Sequence, residues 1–331
     1  MDVNDIAGIG KAVEKFIDLL RGLGWKIYEP LHIKRIADVE SYKRKLETDD
    51  KIYEIEKISE FITKNSNLNI NHNNNGTEIS NANILLENTK ARLVNQELSR
   101  TSNIQNVISK TYDILKDEED VSDKPVDKDW FTRYFNIVQD ISNEDIQNLW
   151  AKLLAGEIKQ PGSFSYRTLE TLKNMTTDEA ELFTKVAKFF IFDGQKNCYI
   201  FNDHDLLKRY GVIHYYIVTL IDIGLINSSL NTGIIVNNNL TMLNNNLIFS
   251  IYNNMGMVQI PILTVSKTGN EILKLIDNKC NSDQFFIDSI KIIKNMFGQN
   301  VRYTLHKIDY IDDKGIIHTI DDNEDLMKNI Q

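Results

Sequence analysis

Between residues 125 and 183 the apolar positions recur more regularly than anywhere else in the chain. Trp130, Phe131, Tyr134, Phe135, Val138 and Ile141 fall at helical spacing and form one stripe. The run 142–145 reads as the cap of a second helix, with the Ser142 hydroxyl placed to accept a free amide and acids suited to the positive end. That helix puts Ile146, Leu149, Trp150, Leu153, Leu154 and Ile158 on one face and must stop at Gln160-Pro161-Gly162. A third short helix is expected to turn Tyr166, Leu169, Leu172 and Met175 inward. Residues 176–179 cap a fourth, with Phe183, Val186, Ala187 and Phe190 on its stripe. Residues 117–192 are therefore expected to form a central helical domain.

The flanks read differently. Upstream, Asp5 caps a helix over 5–28 with Ile6, Ile9, Val13, Phe16, Ile17, Leu20 and Ile27 on one face. Lys11, Glu14, Lys15, Asp18 and Arg21 lie opposite. Pro30 ends it, and 31–64 follows as a second helical region with Ile55, Ile58, Phe61 and Ile62 striped. In 65–83, 9 of 19 residues are Asn, which predicts a flexible loop. A helix over 84–115 should bury Leu85, Leu86, Leu93, Ile104, Val107, Ile108 and Leu115. The expectation for 1–116 is thus an amphipathic helix followed by a coiled-coil-like helical hairpin. An acidic connector, 116–124, joins it to the core.

Downstream of Phe190 the period shortens. Strands are expected at 198–201, 233–236, 247–252 and 258–263. Helices are expected at 204–210 (capped by Asp203), 212–226 and 266–276. That order over 193–280 is like a winged helix. A tail, 281–331, adds a helix at 285–297 and two strands, 303–311 and 316–320. The fold class is mainly α with a C-terminal α+β part.

Charge and composition narrow the function. With 38 basic and 47 acidic residues the net charge is −9, which argues against a chain-wide nucleic-acid binder. The stretch 212–224, where a recognition helix would sit, contains no Lys or Arg and fits packing or a protein partner better than DNA. Only two cysteines, Cys198 and Cys280, occur, so neither a disulfide framework nor a four-cysteine zinc site is expected. Six histidines show no metal-ligand spacing, and no nucleophile–base order stands out. Gly8-Ile9-Gly10-Lys11 lacks the strand and spacing of a phosphate loop. No catalytic residue, metal or cofactor is assigned. No apolar run is long enough to span a bilayer, and the acidic start MDVND is unlike a signal peptide. A cytoplasmic location follows, with peripheral attachment to the inner membrane open.

That last option comes from the first helix. Residues 8–45 hold nine basic and five acidic residues, +4 within a chain of −9. A basic amphipathic helix with Trp25 and Tyr28 at its end fits a membrane surface. Ile9, Lys11, Val13, Lys15, Phe16, Ile17, Leu20, Arg21 and Trp25 are the candidate membrane- or partner-binding residues. The same stripe could instead pack on the protein's own core, the commoner fate, or on a sister chain.

The string DWFTRYFNIVQDISNEDIQNLWAKLLAGEIKQPGSFSYRTLETL, with RTSNIQNVISKTYDIL before it, resembles a bacterial family known as domain of unknown function 2806. Its motif core here is Trp130, Phe135, Trp150, Leu153, Gly156, Pro161, Gly162 and Leu169. The LWAKLLA–turn–LxxL pattern is also similar to the abortive-infection alpha family of phage-defence proteins. With the charge contrast and apolar stripe of Ile6 to Tyr28 and the absence of an assigned catalytic residue, that likeness leads to the expectation of a non-enzymatic phage-defence effector in which an unknown protein trigger releases the first helix onto the membrane. The alternatives are a winged-helix DNA-binding regulator and a helical homo-oligomerisation module.

Overall fold

The computed structural model describes residues 10–22, 76–193, 197–227, 233–236, 239–244, 246–252, 258–276, 282–297, 301–312 and 316–320, with side chains from 88 onward in the second of these. The expected helical region 31–64, and Ile6, Ile9, Trp25 and Tyr28, lie outside the described residues. The chain divides into two compact units, 1–163 and 164–331. The division falls inside the stretch 117–192 that the apolar pattern groups together.

The first unit is helical: α1 (Lys11–Gly22), α2 (Gly76–Leu115), α3 (Lys128–Val138) and α4 (Glu144–Lys159). α2 has 40 residues, about 60 Å of helix at 1.5 Å per residue. It begins inside the Asn-rich stretch expected to be a loop. Asn costs a helix only about 0.7 kcal/mol or less per residue relative to Ala, which a long cooperative helix can absorb. Among its described side chains, those from 88 onward, the buried ones lie in the C-terminal part, at Gln105, Val107, Ile108, Thr111 and Leu115, whereas Leu93, expected inside, is 47% exposed. The unit's centre is aromatic. Tyr134 is fully buried, donates its hydroxyl to Trp150 O at 2.8 Å, and lies 5.4 Å from the stacked Trp130 ring. Burial drives the Tyr134 hydroxyl pKa well above its ordinary value.

Local chemistry sets the helix ends. Asp127 accepts the Asp129 and Trp130 amides to start α3. The cap of α4 is Asn143, whose side chain accepts from Ile146 N at 3.0 Å. Ser142, the expected cap, stands one residue too early to reach the first free amides. α4 stops where foreseen, because Pro161 cannot continue it and Gly162 adopts φ +89°, a conformation costly for side chains. The buried carboxylate of Glu157 fixes that turn by accepting the Gly162 amide at 2.6 Å. Trp150, Leu153, Leu154 and Ile158 are buried, but Ile146 is 41% exposed. The Gln147 side chain takes the inner place instead, donating to Ile141 O.

The second unit holds α5 (Tyr166–Asn174), α6 (Thr177–Ala187), β1 (Phe190–Asp193), β2 (Cys198–Phe201), α7 (His204–Arg209), α8 (His214–Asp222), β3 (Gly233–Val236), β4 (Asn239–Leu243), β5 (Leu247–Tyr252), β6 (Val258–Thr264), α9 (Lys267–Leu273), α10 (Asp283–Phe297), β7 (Arg302–Ile311) and β8 (Ile317–Thr319). The strands form one antiparallel sheet in the order β3-β6-β2-β1-β4-β5-β7-β8. The Thr176 capping box starts α6 as expected. Phe190, expected on the stripe of α6, instead opens β1. Its aromatic and β-branched neighbours suit a pleated surface, and it pairs with Ile200. Strands β1 and β4 have no counterpart in the sequence reading. Tyr166 and Met175, expected inward, are exposed and half-buried. Where α5 begins, Glu271 Oε2 from α9 accepts Ser165 N at 2.6 Å, Ser165 Oγ at 2.8 Å and Thr168 Oγ1. Phe285 of α10 packs with its ring centroid 4.9 Å from that of Phe189 and 5.2 Å from that of Tyr210.

Candidate functional site

α1 is the element around which the site is built. The described part of its stripe is buried: Ala12, Val13, Phe16, Ile17 and Leu20 pack toward α2 and α4. At roughly 1.5–3 kcal/mol gross per large apolar side chain, the four large ones contribute about 6–12 kcal/mol. Lys11, Glu14, Asp18 and Arg21 are exposed on the other side, as their spacing predicts.

The polar edge of α1 is pinned by the acidic connector. Lys15 Nζ donates to Ser122 O and Ile158 O, each at 2.9 Å. Lys11 Nζ meets Asp123 Oδ1 at 2.6 Å. The connector is itself tied to α4 through Ser122 N to Lys159 O at 2.9 Å and Lys159 Nζ to Glu118 at 2.6 Å. Val121 within it and Val126 just beyond it are buried. Gly10 sits at the close approach. A Cβ there would lie 3.3 Å from Glu118 O, so a side chain at this position would require the connector to give way by a few tenths of an ångström. The glycine that looks superficially like part of a phosphate loop is a packing glycine.

Electrostatics follow from this geometry. Burial lowers the Lys15 pKa from 10.5, with the Asp123 and Glu157 charges opposing the shift. The Lys11 hydrogen bond lowers that of Asp123 from 3.8. Beside α1 lies an open groove of about 530 Å³. Leu19, Pro125, Val126 and Phe131 give it an apolar surface, and Lys128 and Thr132 stand on the α3 side.

Of the candidate residues, Lys11, Val13, Lys15, Phe16, Ile17, Leu20 and Arg21 are together on α1, while Ile9 and Trp25 lie outside the described residues. The motif-core residues Trp130, Phe135, Trp150, Leu153, Pro161 and Leu169 are buried, Gly156 is half-buried and Gly162 exposed. They build the units rather than a reaction centre. The sequence reading missed the connector backbone, because carbonyl acceptors leave no residue-type signal. It also missed the buried carboxylates of Glu157 and Glu271, whose work is to accept hydrogen bonds from the Gly162 amide and from Ser165 and Thr168, which the spacing of residue types does not announce.

A second surface lies on α8. Ile217 and Leu220 face inward, while Ile213 is 47%, Tyr215 68% and Val218 36% exposed. Lys185 Nζ of α6 stands 4.7 Å over the Tyr216 ring. Among the described residues, no helix is long and apolar enough to cross a membrane, and no group of three or more His, Cys, Asp or Glu side chains could hold a metal ion.

A family model described as "Protein of unknown function (DUF2806)" matches residues 87–291, well over half of the chain, and the protein belongs to that family. No curated protein and no solved structure matches.

Proposed function

We propose that this family member is a non-enzymatic, partner-controlled protein that stores an amphipathic helix and deploys it at a membrane surface. The observation that carries the reading is the way α1 is held. Its apolar face is buried, while its lysines rest on carbonyls and one carboxylate of a surface connector. Anionic lipid headgroups could answer the same lysines, at about 1 kcal/mol each, and an interface would bury the same stripe. The exchange trades like contacts for like, so the preference for the docked state is what a partner must overcome. A gap of about 5.5 kcal/mol would correspond to a 10⁴-fold preference, which is the scale on which a partner's differential binding has to act to release α1. Antiviral defence is the setting we infer, on the likeness of the LWAKLLA segment to the abortive-infection alpha family.

Dye-loaded anionic liposomes distinguish storage from simple core packing. The full chain with its trigger is expected to cause leakage, and so is a variant with docking weakened by Lys15→Met and Gly10→Val. A chain lacking residues 1–28 should be silent. Equal leakage from the destabilised variant and the truncated chain would remove the membrane mechanism.

A second reading concerns residues 193–280. The neighbour order β3-β6-β2, with α7 and α8 between β2 and β3, supports a winged-helix-like module. In it the exposed aromatic and aliphatic side chains of α8 and its lack of Lys and Arg favour a protein partner over DNA. Retardation of duplex DNA with a steep salt dependence would reverse that preference. The exposed flank of α2 around Leu93 is where a hairpin partner or a sister chain would pack.

A further inference from the structure

We propose that β8 is a self-pairing edge, through which two copies of the chain join their sheets about a two-fold axis at His318. β8 ends the eight-stranded sheet among the described residues. Such an edge is a template for another strand unless charges, proline or a cover blunt it. Residues 316–320, Ile-Ile-His-Thr-Ile, include no Lys, Arg, Asp, Glu or Pro. Ile316 and Ile320 are exposed, as is Tyr310 beside them on β7. The inference uses only the second unit and does not depend on the stored helix.

The backbone sets the register. Asp312 N donates to Ile316 O, and Ile320 N to Lys307 O. Along β8 the groups of residues 316, 318 and 320 therefore turn toward β7, and those of Ile317 and Thr319 turn outward. An antiparallel copy centred on His318 sets Ile317 opposite Thr319 of the second copy, and the reverse. The outward amides and carbonyls then meet in reciprocal pairs. His318 opposes itself as the pair without hydrogen bonds, where side chains come closest.

The side chains repeat the same symmetry. Pairing of Tyr310 with His318 and of Ile311 with Ile317 places Tyr310, Ile316, His318 and Ile320 on one face of the ribbon. In the two-fold register Ile316 lies opposite Ile320 of the second copy on both sides of the axis, an apolar cross-strand pair made twice. Charge is matched as well. The His318 ring centroid stacks 4.3 Å from that of Tyr310, and His318 Nε2 stands 3.4 Å from Asp312 Oδ2. The two imidazoles at the axis thus bring their own carboxylates. One Tyr and two Ile, each about half exposed, supply roughly 150–250 Å² of apolar side chain per copy. Twice that falls short of the roughly 1,200 Å² at which stable interfaces begin, so the dimer is weak and concentration-dependent. Its self-complementarity closes it at two copies.

The test is sedimentation equilibrium of the full chain from about 5 to about 500 µM, with thermal melts to check that each variant folds. The wild-type chain is expected to pass from monomer to dimer and stop there. Thr319→Pro removes an outward amide while leaving the pairing with β7 intact, and should weaken the dimer about tenfold or more. Ile316→Lys with Ile320→Lys sets like charges opposite each other and should weaken it as much. Ile316→Glu with Ile320→Lys sets Glu opposite Lys. That variant should return the dimer to within about threefold of wild type, now with a dependence on salt. A chain monomeric throughout, or a dimer indifferent to all three variants, would overturn the proposal. So would equal loss in the two charged variants, which would deny the register. Assembly beyond two copies would overturn it in favour of β8 joining β3 head to tail, since Ile235 on that edge is also exposed.

Discussion

α1 and α8 are both short helices rich in large apolar side chains, and they meet opposite fates. On α1 the described stripe from Ala12 to Leu20 is buried, with Phe16 and Leu20 wholly inaccessible. On α8 the two inward positions, Ile217 and Leu220, are covered, while Tyr215 and Val218 stand in solvent. The difference lies at the helix edges. α1 is flanked by basic side chains long enough to reach the backbone of the connector, so docking satisfies its polar rim as well as its stripe. α8 has no Lys or Arg and no side-chain cap at its start, and its outer face is left to whatever binds it. Apolar content alone does not say which helix is core and which is surface. The partners available to the polar edge do.

The largest expected effect tests that contrast directly. Phe16→Ala should cost about 3–5 kcal/mol in urea unfolding, as for a large aromatic removed from a core. Tyr215→Ala should change stability by no more than about 0.5 kcal/mol. If the two cost the same, α1 is not docked as described, or α8 is covered by something that packs as tightly as a core.

An intermediate effect is expected from Lys15→Met, which keeps the aliphatic stem but leaves Ser122 O and Ile158 O without their lysine. The loss should be about 1–3 kcal/mol, read as faster amide exchange at Val13 and Phe16, with Tyr134 and its neighbours unchanged. Uniform acceleration across the first unit would mean that the lysine supports the whole helical core rather than the seat of α1.

The pattern of legibility matches these physical causes. Periodicity located α3, α4, α6 and the stripe of α1, because one buried face writes itself into the sequence every three to four residues. It also gave the capping box at Thr176 and the stop at Pro161 and Gly162, where side-chain chemistry dictates backbone shape. It failed where tertiary pairing decides. β1 follows α6 with hardly a break, and only its pairing with β2 and β4 makes Phe190 a strand residue. Strand β4, Asn239–Leu243, begins within an Asn-rich run that reads as turn. The connector was legible as acidic, but its role as the seat of α1 depends on carbonyls that no residue type reveals.

The smallest expected effect asks whether the seat of α1 is a hydrogen-bonded clamp or an ion pair. Burial, the largest influence on Lys15, lowers its pKa below 10.5 when α1 is docked. Between that lowered value and 10.5 the undocked helix binds more protons than the docked one. Stability therefore rises with pH across this window and levels off above it. Asp123 behaves in the opposite sense at the acid end. Its pKa is lowered from 3.8 by the Lys11 hydrogen bond, so its contribution is present above that range and is lost as pH falls through the lowered value. Many other groups titrate near pH 10, so the informative quantity is the difference between the wild-type chain and Lys15→Met in urea midpoints from pH 7 to 10.5. The penalty of the substitution should grow with pH, because a neutral amine can still donate to both carbonyls while no longer carrying a half-buried charge. A penalty that shrinks instead would mean that attraction to Asp123 and Glu157 outweighs burial, making the seat an ion pair that weakens as the lysine loses its proton.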